Sequence, residues 1–319
     1  NYNLLHDLRV EQSVHYPSML VARFRDPTFA LLDADFAKIG DKVEVKLDGD
    51  GLKPVFVGEV SAIGSEQGAT ERHELVVTAL ANTYKLARKT VLETYTNKSY
   101  KDVVTTLAGA AGLSIGEVSS NGGASTQHEY LFQTTTAYAY ISEIAQRLGF
   151  DWWVDNEDKF YFKPRELGSG VALNFGSATG TATELRKFKA RFSAAERAAK
   201  VTVRGTDPKS LAPVSADDTT VADQASTVAG TTAPIASRLN GQASKFDGDL
   251  ISGATVVDTQ NEAGAVAKAL AERLAASRFT ADGTALGDAR IKAGGVVTIS
   301  GVGSSLSGDY FVTSVQHSY

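Results

Sequence analysis

At 319 residues with 43% hydrophobic side chains, the chain is long enough for two or three domains with cores of their own. Its 32 basic and 37 acidic residues leave a formal charge of -5, which gives no counterion-release drive toward nucleic acid and no pull toward an anionic membrane surface. Cysteine is absent, which excludes disulfides and thiolate metal sites, and no apolar run approaches the roughly 20 residues of a membrane helix.

The first hundred residues read as strands. "DLRVEQSVHY" and "MLVARFRD" alternate apolar and polar side chains, and "KVEVKL" sets Val43, Val45 and Leu47 against Lys42, Glu44 and Lys46. "DGDGLKP" turns the chain into "VFVGEVSAIG", and "HELVVTAL" adds a further strand. Residues 1–97 are thus expected to form a first antiparallel β-barrel domain.

At "NKSYKDVVTTLAGAAGLSI" the period lengthens to about 3.6, with Tyr100, Val103, Val104, Leu107, Ala108 and Ala111 on one stripe. Ser99 and Asp102 have the spacing of a capping box, and Gly112 ends the helix. A second helix follows, with Thr135 or Thr136 as N-cap, a stripe of Tyr138, Ile141, Ile144, Ala145 and Leu148, and Gly149 as C-cap. It leads into a hairpin of "FDWWV", the turn "DNED", and "KFYFK". Residues 98–165 are therefore expected to form a small α/β insert domain.

Strand patterns return in "ELRKFKARFSA" and "AKVTVRG", and again near the C-terminus. Residues 166–206 and 280–319 are assigned to a second β-barrel. Between them, 207–279 is expected to hold an extended arm poor in large apolar residues and a helix with Asn261 as N-cap. Val266, Leu270 and Leu274 share a face of that helix, and Arg273 and Arg278 suit its C-terminal dipole. The fold class is mainly β with an α/β insert: two similar antiparallel, tube-like β-barrel domains plus a small α+β domain.

The likeness of the two β regions can be aligned. "GDKVEV" at Gly40 to Val45 matches "GGVVTI" at Gly294 to Ile299, and "FVGEV" at Phe56 matches "FVTSV" at Phe311, with loops differing by one residue. Two matched strands in one order point to a duplication.

Candidate chemistry is sparse. Asp151, Asp155, Glu157 and Asp158 crowd one tight turn and read as a solvated loop, whereas a glycosidase needs two carboxylates facing each other across a sugar. His6, His15, His73, His128 and His317 occur singly, without metal-site spacing. "GVGSSL" between two strands lacks the helix that a phosphate loop requires. No cofactor and no catalytic or metal residue is assigned. Adjacent strand residues face opposite sides, so the aromatics around Trp152 and Trp153 divide between a core and an outward contact face carrying one tryptophan.

Four stretches together resemble a known family: "SYKDVVTTLAGAAGL", "AYISEIAQRLGFDWWVDNEDKFYFKP", "VTVRGTDP", and "DGTALGDARIKAGGVVTISGVGSSLSGDYFVTSVQHSY". They are similar to the hub proteins of contractile injection machines. These include late control protein D of contractile phages, the N-terminal part of VgrG spikes, and hub-spike proteins of extracellular injection systems. The resemblance implies a homotrimer whose two barrels per subunit make a pseudo-six-fold ring. Its partners would be an inner-tube ring above, a trimeric spike below, either separate or fused beyond Tyr319, and baseplate wedge proteins around it. It implies no catalysis, no nucleic-acid specificity and no membrane insertion. The protein would be assembled in the cytoplasm as a component of a phage tail or injection particle. Interface candidates are Asp48, Gly49, Asp50 and Gly51, their counterparts Gly301, Gly303 and Ser304, and the outward member of Trp152 and Trp153. The competing expectations are a tail-tip cell-wall hydrolase or a carbohydrate-binding module.

Overall fold

The structure is a computed structural model that describes residues 4–47, 51–68, 73–178, 180–193, 198–207, 210–219, 230–235, 248–252, 257 and 259–319. The first half holds β1 (Leu5–Ser13), β2 (Tyr16–Arg25), the short α1 (Ala30–Asp33), β3 (Lys42–Leu47), β4 (Lys53–Glu66) and β5 (Glu74–Leu80), then a 3-10 turn at Asn82–Ala87. The insert follows with β6 (Glu93–Ser99), α2 (Tyr100–Ala110), β7 (Ser114–Val118), β8 (Gln127–Gln133), α3 (Ala137–Leu148), β9 (Phe150–Val154) and β10 (Lys159–Pro164). The remainder comprises β11 (Val171–Phe175), β12 (Thr183–Phe192), β13 (Lys200–Thr206), β14 (Pro213–Asp218), β15 (Asp249–Ser252), α4 (Gln260–Ser277), β16 (Phe279–Ala285), β17 (Val296–Ser300), β18 (Gly308–Phe311) and β19 (Ser314–Ser318).

The protein is mainly β. A curled six-stranded sheet has the order β19-β1-β2-β5-β4-β3, and a five-stranded sheet has the order β16-β12-β11-β17-β18. The alternating strands of the first sheet bury Val10, Leu20, Phe56 and Ala79 together, with Leu8, Val43 and Val45 packed against them. Leu173, Leu185, Phe279, Val297, Ile299 and Tyr310 are the core of the second sheet. In that sheet β11 runs parallel to both β12 and β17.

Two strands lie elsewhere than their sequence positions suggested. β19, expected in the second barrel, pairs with β1 and completes the first sheet. Only Val312 and Thr313 separate it from β18, so the chain steps directly from one sheet to the other. β13, also expected in the second barrel, lies between β14 and β15 in a separate three-stranded sheet. Its Val203 turns onto Val266 and Ala267 of α4, which removes that face from water.

The insert is built as its capping signals indicate. Ser99 N–H donates to Asp102 Oδ2 at 3.0 Å and Asp102 N–H to Ser99 Oγ at 3.2 Å, a reciprocal box that starts α2 and, through the Ser99 bonds, lowers the Asp102 pKa. Thr136 caps α3, and Gly149 ends it at φ 70°. α4 begins two residues earlier than expected: Thr259, extended at φ -132° and ψ 154°, accepts from Glu262 N–H, which places Asn261 inside the helix. The Ala-rich face of α4 meets α3 at Gly149, where an added Cβ would stand 3.0 Å from Ala269. Glu262 seals the contact, accepting from Arg147 Nη1 at 2.9 Å and from the Tyr100 hydroxyl at 3.2 Å.

Candidate functional site

The two sheets carry the same hairpin. Gly40, at φ 91°, donates its N–H to the Val60 carbonyl at 2.9 Å, while Val60 N–H donates to the Asp41 carbonyl at 2.8 Å. Gly294, at φ 78°, donates to the Val312 carbonyl at 2.9 Å, and Val312 N–H donates to the Gly295 carbonyl at 2.9 Å. Each is a bulge whose first residue must adopt the left-handed conformation that glycine reaches without strain. The bonds make Val312 the counterpart of Val60. The sequence match of Phe56 to Phe311 is therefore out of step by three residues in the second strand, although the first strand aligns as read. An offset of three is odd, so it exchanges the two faces of the strand, and the matched letters of the two segments do not share a face.

Between the hairpins lies the β9–β10 ribbon, wedged against β1, β4 and the loop before β17. Both tryptophans are buried, so the expected outward tryptophan is absent. Trp152 is 0% exposed, donates from its indole to Ser142 Oγ at 3.2 Å, and meets Tyr138 edge-on. Trp153 is 8% exposed, stacks on Tyr161 at 5.2 Å and meets Phe311 edge-on at 6.4 Å. The face that should have been outward is covered by Val14, Ala293 and Phe311 of the two flanking sheets. An isolated hairpin gives no sign of that cover.

The acidic turn is likewise not a free solvated loop. Asp155 accepts from Glu157 N–H, Lys159 N–H and the Tyr161 hydroxyl, which folds the turn on itself. Asp158 accepts from Asn82 Nδ2 at 2.8 Å, and the neighbouring Asn156 Nδ2 donates to the Pro54 carbonyl at 3.0 Å. Glu157 alone of the four acids is exposed, paired with Lys159 at 2.6 Å. Asp151 is buried beneath the ribbon, with Oδ1 2.8 Å from His15 Nε2 and Oδ2 accepting from Arg165 Nε at 2.9 Å. Burial works to raise the Asp151 pKa, but the His15 hydrogen bond and the Arg165 charge outweigh it and hold the carboxyl below its usual range.

His15 is tied through its backbone as well as its ring Nε2. It sits in the tight β1–β2 turn at φ 69°, its N–H donates to the Trp152 carbonyl at 2.9 Å, and its carbonyl accepts from the Tyr138 hydroxyl at 2.5 Å. Arg165 also lies 4.8 Å over the Phe311 ring. Gln12 spans the joint, donating to the Val55 carbonyl at 2.6 Å and accepting from Ala293 N–H at 3.4 Å. Sequence reasoning missed His15, Arg165 and Gln12, because each belongs to a different segment and each partner is remote in the chain.

This arrangement is suited to holding elements in register. Asp151 stands between His15 of the β1–β2 turn and Arg165 after β10, so one carboxylate ties three segments together. Beside it, a space of about 10 Å³ between Gln12, Trp153, Asn156 and Lys292 has room for a single water. No three His, Cys, Asp or Glu side chains among the described residues are placed to share a metal ion.

The loop candidates are the connections of the equivalent hairpins. Asp48, Gly49 and Asp50 fall outside the described residues. Gly51 is exposed at φ 84° beside Leu52, itself 67% exposed. Gly301, Gly303 and Ser304 are all exposed, and a Cβ added at Gly301 would lie 2.9 Å from Asn174 Oδ1 at the end of β11.

The family model described as the Alg8 N-terminal domain matches residues 22–319. The chain belongs to this family. No curated protein matches the chain. Among solved structures, this Alg8 N-terminal domain chain is similar to the 43 kDa tail protein of prophage MuSo2 from Shewanella oneidensis. The two share 14% identity and a TM-score of 0.70, over 98% of this chain and 90% of that one. A tail protein from Neisseria meningitidis MC58 gives 13% identity and a TM-score of 0.65, over 98% of this chain and 87% of that one. The E. coli c3393 protein, described as a type VI secretion component structurally similar to T4 tail proteins gp27 and gp5, gives 11% identity and a TM-score of 0.61, over 99% of this chain and 69% of that one. The Alg8 N-terminal domain chain thus has the fold of these phage-tail and type VI secretion proteins.

Proposed function

We propose that the protein is a structural hub of a contractile tail or injection-system baseplate, and that it works by mechanical coupling without catalysis. Three copies would form a ring of six similar barrels, joining a hexameric inner tube to a trimeric spike, with baseplate wedge proteins around them. The ring would be assembled in the cytoplasm and carried in the particle.

The observation that carries this reading is the twin bulged hairpin. Gly40 with Val60 and Gly294 with Val312 make the same hydrogen bonds in two sheets of one chain. A chain that presents one unit twice offers near six-fold contacts when it is three-fold symmetric, which meets a hexamer on one side and a trimer on the other. The rigid wedge of His15, Asp151 and Arg165 supports the reading, since a force-bearing adaptor needs its two halves fixed. The loops at Gly51 and at Gly303 and Ser304 are proposed as the equivalent contacts of the two barrels with the tube or spike.

The test is electron microscopy and native mass measurement of the purified chain with its tube and spike proteins. A three-fold ring with six similar lobes between tube and spike is expected. Wall lysis or glycan binding by the chain, with no affinity for either partner, would refute it.

A further inference from the structure

We propose that copies of this chain join head to tail, the β12–β16 ribbon of one copy docking on the open edge of β3 and the adjoining 30–41 corner of the next. This rests on the ring reading above and names its joint.

The β18 edge of the five-stranded sheet is tied up within the chain. β19 follows β18 directly, Thr232 N–H donates to the Asp309 carbonyl, and Phe311 N–H donates to the Gly230 carbonyl, so residues 230–232 cover the β18 edge. Among the described residues the edges left with one neighbour are β3 and β19 of the six-stranded sheet and β16 of the five-stranded one. The twin hairpins show what such an edge accepts. β17, the counterpart of β3, carries β11 on the side away from β18, with Val171 opposite Val297 and Leu173 opposite Ile299. The corresponding side of β3 is bare among the described residues, and a bare edge is a template for one more strand.

The β12–β16 ribbon shows the complementary deficit. Thr280, Ala281, Asp282, Gly283 and Thr284 are all exposed along the outer edge of the five-stranded sheet, where β16 pairs with β12 alone. Its outward face carries Lys187, Lys189 and Arg191, which alternate with Phe188, Ala190 and Phe192 on the other face and have no ion-pair partner among the described residues. The 30–41 corner is the opposite kind of surface. Leu32, Phe36 and Ile39 are 39%, 43% and 66% exposed, with Asp33, Asp35 and Asp41 exposed among them and Glu44 beside them on β3. Asp35 pairs with Lys38 at 3.5 Å and Glu44 with Lys46 at 2.9 Å, which leaves Asp33 and Asp41 without an ion pair among the described residues. Ribbon against ribbon would oppose three cations to three, and β3 against β3 would oppose Lys42 and Lys46 to themselves. Only the unlike pairing sets cations against acids and covers the apolar corner. An unlike pairing that repeats is heterologous, the kind of contact from which a closed ring is built when the rotation between copies closes.

Proline variants isolate each edge. The bulge bond between Val60 and Asp41 sets the alternation, so Val43 and Val45 bond to β4 while the Glu44 N–H faces the open side. Ser193 N–H donates to the Arg278 carbonyl, and by the same alternation the Ala281 N–H faces away from β12. Glu44→Pro and Ala281→Pro therefore remove only outward donors and should unfold within a few degrees of the parent chain.

The experiment is sedimentation of the full chain over a concentration series. The parent is expected to assemble, each proline variant to stay monomeric, and their equimolar mixture to stop at dimers, because one intact edge of each kind remains. Asp33→Lys with Glu44→Lys, and separately Lys187→Glu with Lys189→Glu, should each weaken assembly by about tenfold, and all four together should restore it. A monomeric parent, proline variants that assemble like the parent, or no restoration by the combined charge swap would overturn the proposal. Rings that survive the proline variants leave the hub reading standing without this joint. Rings that depend on the two edges yet bind neither tube nor spike leave the joint standing without the hub reading.

Discussion

The indole of Trp153 rests directly on Gly294, where an added Cβ would stand 2.3 Å from a ring carbon. The same glycine is the first residue of the second bulge, so one position serves both the β17–β18 hairpin and the seat of the wedge. Its counterpart Gly40 has the same left-handed backbone with no atom within 4 Å of the added Cβ. Gly40→Ala should therefore cost about 1 to 2 kcal/mol, the backbone strain alone. Gly294→Ala adds displacement of a packed indole and should cost at least about 3 kcal/mol. Denaturant unfolding of the two variants measures the difference, and equal losses would show that the indole is not pinned there.

Asp151 is buried between a histidine and an arginine from two other segments. Asp151→Ala removes the common partner and leaves Arg165 facing apolar surroundings, for an expected loss of about 3 kcal/mol. His15→Ala should cost less, because His15 retains solvent contact. A double-mutant cycle between the two positions should give a coupling of about 1 kcal/mol, and additivity would rule out the contact.

Stability should fall in acid. The folded Asp151 carboxyl titrates below its unfolded value, so between those values the unfolded chain binds more protons, and the contribution present above that range is lost as pH drops through it. His317 acts in the same direction nearer neutrality. Burial lowers its pKa against the bond from its ring to the Ile291 carbonyl, so protonation near pH 6 favours the unfolded chain. Thermal midpoints measured from pH 8 down to pH 3 should decline throughout, and the His317→Gln variant should lose the upper part of the decline.

Thr259 and Asn261 separate two readings of one helix start. Thr259→Ala removes an observed N-cap and should cost about 1 kcal/mol, while Asn261→Ala, exposed inside the first turn, should change stability by less than about 0.5 kcal/mol. Urea unfolding distinguishes them, and a larger effect at Asn261 would move the cap back to where the sequence suggested.

Local rules were enough for much of this protein. The alternation around Val43 and Val45, the reciprocal cap of Ser99 and Asp102, and the helix end at Gly149 depend on neighbours a few residues away, and they stand where the sequence places them. The family resemblance agreed with the fold because its motifs are made of such local signals. What tertiary structure decided were pairings across long separations. Nothing near Trp153 in sequence announces that Val14, Ala293 and Phe311 will cover it, and nothing near Asp151 announces His15 or Arg165. The three-residue slip between Phe56 and Phe311, and the crossing of β19 into the first sheet, have the same cause. A strand's side-chain pattern tells which face is apolar, but its edge partner is chosen by the backbone hydrogen bonds left open once every other strand has been placed.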